Sequence, residues 1–131
     1  MLLYHFTFLR HRESIVAEGL RPSDDVVWLT TDSETFFACD QHGNPLPPEY
    51  RHNCRIKLVI PSHDRRLISW SRLLRKRKGP EEVEFYLRNP YLGPERARRT
   101  VQDWHCYLGT VPPDYFREII EITALERADR R

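Results

Sequence analysis

Cys39-x2-His42 and His52-x-Cys54, nine residues apart, have the types and roughly the spacing of a zinc set. Zinc takes Cys and His tetrahedrally, and paired ligands on a loop are its usual structural arrangement. The second pair, however, has one residue between its ligands, tighter than an ordinary knuckle. Cys54 also falls on the inward side of an alternating strand, where a small apolar thiol packs well. An ordinary loop is therefore expected, and no metal ligand is assigned. A second polar set is His5 with Thr7, on one side of LLYHFT. A histidine in an apolar strand is ordinarily a core residue, but a hydroxyl two positions away on the same face makes a polar pair. A third is Glu82, Glu84 and Tyr86, opposite Val83, Phe85 and Leu87 in EEVEFYL. A Gly-rich phosphate loop, GxSxG, HExxH and CxxC are all absent, and the five glycines are isolated. That removes most motif-defined nucleotide-fold and hydrolase chemistries.

The elements that must carry these groups follow from periodicity. Strands are expected at 2–7, 26–31, 54–61, 81–87, 104–109 and 117–125, with Cys54, Ile56, Leu58 and Ile60 alternating against Arg55 and Lys57. A short helix at 10–18 is closed by Gly19 and Pro22. Residues 64–78 read as partly helical, since Leu67, Trp70 and Leu74 recur at spacings of three and four, and 95–102 is a possible third helix. The segment 39–53, rich in Pro, Gly and Asn, is a loop or insertion. Helices interspersed without regular βαβ spacing predict an α+β domain. Trp28 and Trp104 are expected in its core, and His105 in a structural role.

The chain has 131 residues, of which 40% are hydrophobic, enough for one core spanning 1–131 without disulfide staples. No apolar run reaches the length of a membrane span, and the first residues lack the pattern of a signal peptide. The odd set Cys39, Cys54 and Cys106 points to a reducing cytoplasm. Net charge is only +2, yet Arg65, Arg66, Arg72, Arg75, Lys76, Arg77 and Lys78 stand in one stretch without an acid, and Arg96, Arg98 and Arg99 form a second knot. Such a run is a solvated face or a contact for a phosphate-bearing partner.

The N-terminal third carries a recognisable order of segments. Tyr4-His5-Phe6-Thr7 is followed by Ser14-Ile15-Val16-Ala17-Glu18-Gly19-Leu20-Arg21-Pro22 and then Val27-Trp28-Leu29-Thr30-Thr31-Asp32. With the ending Trp104-His105-Cys106-Tyr107-Leu108-Gly109-Thr110-Val111-Pro112-Pro113, it resembles the ADP-ribosyltransferase-like superfamily. The likeness is to the branch with a histidine on its first core strand. That branch includes the diphtheria-toxin-like and poly(ADP-ribose)-polymerase-like enzymes, DNA-modifying toxins and tRNA 2′-phosphotransferases. The resemblance covers about half the chain.

It implies a compact fold in which two small antiparallel sheets form a cleft for NAD, with two or three short helices. His5 would hydrogen-bond the adenosine-side ribose and Thr7 would help order it. Trp28, Phe36 or Phe37 would stack on nicotinamide, so that the binding set is His5, Thr7, Trp28, Thr30 and Phe37. Catalysis would fall to Glu84 together with His5. Cleaving the nicotinamide–ribose bond builds oxocarbenium character, as glycoside cleavage does, and a fixed carboxylate stabilises it. The implied activity is transfer of ADP-ribose to a protein or nucleic acid, or to water, with the basic stretch Arg65–Lys78 favouring a phosphate-bearing acceptor. The alternative is a non-catalytic module on the same fold, a phage or mobile-element protein that binds nucleic acid or a protein partner.

Overall fold

The computed structural model describes residues 1–23, 25–33, 47, 52–78 and 103–122. Within them six strands and two α-helices follow in the order β1 (Leu2–Thr7), α1 (Arg12–Glu18), β2 (Val26–Thr30), β3 (Cys54–Val59), β4 (Leu67–Ser69), α2 (Trp70–Lys78), β5 (Trp104–Leu108) and β6 (Phe116–Glu121). The domain is α+β, as the interspersed periodicities predict. The expected strand at 81–87 and the basic segment 95–102 lie outside the described residues.

The six strands form one antiparallel sheet in the order β4-β5-β2-β1-β3-β6, where two separate sheets were expected. It is nonetheless nearly divided. β1 and β3 pair from Leu2↔Val59 to Thr7↔Cys54, and β2 and β5 from Val26↔Leu108 to Thr30↔Trp104. Between these ladders, β1 meets β2 at a single register pair, Tyr4↔Thr30. Two three-stranded halves therefore share a seam.

The alternation read from the sequence sets the faces. Leu3, Val27, Leu29, Cys54, Ile56, Leu58 and Tyr107 are buried on the side of the sheet that α1 covers with Ile15. Burying one such aliphatic side chain contributes about 1.5–3 kcal/mol. Val26 and Cys106 point to the other face, where Leu73 of α2 packs on them. The expected apolar stripe of 64–78 is thus corrected. Leu67 belongs to a three-residue strand paired with Tyr107, and the helix buries Leu73 where Leu74 was expected. A short edge strand running directly into a helix gives no alternation long enough to separate the two periods.

Gly19 ends α1 with φ +89°, and a Cβ there would overlap the Val111 carbonyl oxygen. The glycine lets Leu20 and Val111 exchange backbone hydrogen bonds of 3.0 and 2.9 Å. These bonds bind the α1–β2 connection to the segment after β5.

Candidate functional site

The seam opens because β1 and β2 diverge beyond Tyr4 and Thr30. There the His5 side chain reaches across, its Nδ1–H donating to the Trp28 carbonyl oxygen at 2.8 Å. This bond fixes the tautomer and leaves Nε2 as a lone-pair acceptor. Burial pushes the His5 pKa below its ordinary value and outweighs the Trp28 bond, which acts the other way. A neutral ring that can accept at Nε2 is the result.

A cavity of about 690 Å³ lies at this opening, a size common for small-molecule sites. Tyr4 and Phe6 from one face of β1 line it together with His5 and Thr7 from the other. Both faces of one strand reach a single cavity only where its edge is free of a neighbouring strand. Trp28, Trp70 and Trp104, all the tryptophans of the chain, complete the wall. Trp28 is 40% exposed and meets Trp104 edge to face, with ring centroids 6.2 Å apart. The expectation that these two rings belong to the core is therefore corrected, because their strand face is left uncovered beside the seam. Thr31 anchors the same corner, its amide bonding the Asp103 carbonyl at 2.9 Å and its hydroxyl the Asp103 carboxylate at 3.0 Å.

A smaller cavity of about 270 Å³ adjoins His5 and Thr7 on the α1 side, where Ser14, Glu18 and Arg21 contribute polar groups. The structure thus brings His5, Thr7 and Trp28 together. Thr30 it does not. Its side chain is fully buried and its hydroxyl accepts the Asp32 amide hydrogen bond at 3.1 Å, a turn-closing role. Phe37 and Glu84 lie outside the described residues, as do Phe36, Cys39 and His42. Among the described residues no three His, Cys, Asp or Glu side chains are placed to hold a metal ion. Cys54 and Cys106 are buried free thiols, and burial raises the pKa of both, that of Cys106 to about 11.

Sequence reasoning missed Trp70, Trp104, His11 and His52 as lining residues. No spacing joins them; the sheet does. It also missed Asp64, whose Oδ2 accepts the hydroxyls of Tyr107 at 2.7 Å and Tyr115 at 2.8 Å. Partial burial opposes ionisation of Asp64, but these two bonds and the Arg66 amide prevail and lower its pKa. Burial, then the carboxylate, pushes Tyr107 up to about 12, so both phenols remain donors. His105 is buried and bonds the Asp103 carbonyl oxygen at 3.2 Å, in keeping with a structural role. No helix of the described residues is long and apolar enough to cross a membrane.

No family model matches this chain, nor does a curated protein or a solved structure.

Proposed function

We propose that the chain is an NAD-dependent ADP-ribosyltransferase-like enzyme that binds NAD at the seam and releases nicotinamide. The reading rests on the sequence resemblance and on one observation: the first-strand histidine bridges two half-sheets at the mouth of a ligand-sized cavity. A neutral imidazole whose Nδ1–H is already engaged suits acceptance of a ribose hydroxyl at Nε2. The exposed Trp28 ring suits stacking of a planar heterocycle.

In this reaction the bond between ribose C1′ and the nicotinamide nitrogen breaks, and its electron pair leaves with nicotinamide. The acceptor's nucleophile, or water, bonds to C1′ and gives up its proton. Glu84 is the carboxylate proposed to stabilise the intervening cationic character, a role carried by the resemblance alone. Glu118 lies on β6, two strands from β1, with its carboxylate 3.6 Å from the Arg55 guanidinium.

The test is incubation of purified protein with NAD, with and without cell lysate, followed for free nicotinamide and new ADP-ribose adducts. The expected result is nicotinamide release that Glu84→Gln lowers far more than it lowers NAD affinity. Saturable nucleic-acid or protein binding without any NAD binding or turnover would select the non-catalytic module instead.

A further inference from the structure

We infer that the tryptophan-walled cavity and helix α2 together form a binding site for single-stranded nucleic acid, in which an unpaired base stacks against the tryptophan wall. Calling this strand the acceptor rests on the transferase reading above; the binding itself does not. Three observations carry it. Trp28, Trp70 and Trp104 come from β2, α2 and β5 yet line one cavity. Edge-to-face packing of Trp28 on Trp104 holds two of these rings at a fixed angle of 79°. Successive bases stack on such aromatic platforms without demanding a particular sequence, since every base has a π-face.

The second observation is the charge that starts where the cavity wall ends. Trp70 is both a wall residue and the first residue of α2. From there Arg72, Arg75, Lys76 and Arg77 are all exposed, and Arg65 and Arg66 precede them. None of the six closes a salt bridge with a described residue. Leu73 pins the inner side of α2 to Val26 and Cys106. At 100° per residue, Arg75 then points away from the sheet and Arg72 to the side, while Lys76 and Arg77, nearer the Leu73 side, are still exposed. The row spans about 6 Å of helix from Arg72 to Lys76, and Arg65 and Arg66 extend the charge ahead of it. A polyanion is the occupant it fits.

The third observation is a cation on the cavity's opposite flank. The Arg10 guanidinium lies 4.2 Å from the centroid of Phe8, itself a wall residue. A strand whose base enters the cavity therefore meets positive charge on either side. A duplex keeps its bases paired and stacked and cannot offer one to the rings without extrusion.

Because every tryptophan lines this cavity, intrinsic fluorescence of the full chain reads its occupancy directly. Short mixed-sequence DNA and RNA oligonucleotides, single-stranded and duplex, are titrated without NAD at several salt concentrations. Saturable quenching is expected with single strands, weaker binding with duplex, and an affinity that falls linearly on a log–log salt plot. Trp70→Ala and Trp104→Ala should each lower affinity about 5- to 150-fold, the equivalent of one base-stacking interaction, and Trp70→Phe should recover part of it. Arg75→Ala with Lys76→Ala and Arg77→Ala, all exposed, should flatten the salt slope by about 0.7 for each phosphate no longer neutralised.

Absence of quenching at low salt overturns the inference, as does duplex binding equal to single-strand binding. Recovery of ADP-ribose solely on protein in NAD-fed lysate overturns the assignment of this strand as acceptor and leaves the binding standing. NAD affinity measured separately by calorimetry keeps the two readings apart. NAD binding without oligonucleotide binding sinks only the present inference, and the reverse sinks only the transferase.

Discussion

The His5 imidazole occupies the place where a backbone bond between β1 and β2 would lie, its Nδ1–H donating to the Trp28 carbonyl oxygen at 2.8 Å. One ring nitrogen thus ties the half-sheets together while the other remains free to accept. The structural bond and the proposed binding fall to different atoms of a single side chain.

That division predicts different outcomes for two substitutions. His5→Asn retains an N–H donor near the Nδ1 position and lacks Nε2. It should keep a near-native denaturant midpoint while NAD binding weakens by about 1–3 kcal/mol, the loss expected for an unpaired hydroxyl. His5→Ala should lose both. Calorimetric NAD titrations beside urea unfolding separate the two effects, and unchanged NAD affinity in folded His5→Asn refutes the assignment.

The same histidine predicts a direction of pH dependence. Its folded pKa lies below the ordinary value of 6.5, so the unfolded chain takes up a proton that the folded ring resists. The stability linked to His5 is therefore present above that value and declines as pH falls below it. Urea midpoints measured between about pH 5 and 8 should decline less steeply toward acid in His5→Asn than in the parent.

Asp64 predicts a structural cost distant from the histidine. Asp64→Ala removes the acceptor of both Tyr107 and Tyr115, and Tyr107 is almost fully buried. A loss of about 1–3 kcal/mol is expected from the orphaned hydroxyl. Because the folded carboxyl titrates below its ordinary range, the parent should lose this contribution as pH falls through that depressed value, and Asp64→Ala should not. Acid unfolding of the two proteins followed by circular dichroism checks this.

Gly19→Ala should destabilise the fold by more than about 1 kcal/mol, since the position has positive φ and no room for a Cβ beside the Val111 carbonyl. An unaltered thermal midpoint would contradict that placement.

The strands that position the site were legible because each alternates over five or six residues, as in Leu3, His5 and Thr7 against Tyr4 and Phe6. The face shared by Trp28 and Thr30 was legible for the same reason. What that face meets was not. Trp28 turns outward to the cavity while Thr30, two residues on, is sealed by its turn, and only the point where β1 parts from β2 decides between them. Trp70 and Trp104 join the site through pairings between strands far apart in the chain, and Asp64 finds its phenols 43 and 51 residues away. Local periodicity holds no information on such partners. Residues 64–78 show the other limit, where a three-residue strand abuts a helix and the apolar spacing of one continues into the other.

The strand order β4-β5-β2-β1-β3-β6 also bears on how fast the chain finds this structure. None of its pairings is a tight hairpin. Even Tyr4 and Thr30, the nearest partners in sequence, are separated by a whole helix, and every full ladder closes a longer loop. Each closure loses chain entropy before its pairings form, which places the domain among the slow folders, in milliseconds to seconds where helical bundles need microseconds to milliseconds. During that interval β1 waits for partners on both sides. The strand that bears the histidine is thus also the one whose unpaired edges most expose the nascent chain to self-association, and refolding yield should fall as protein concentration rises.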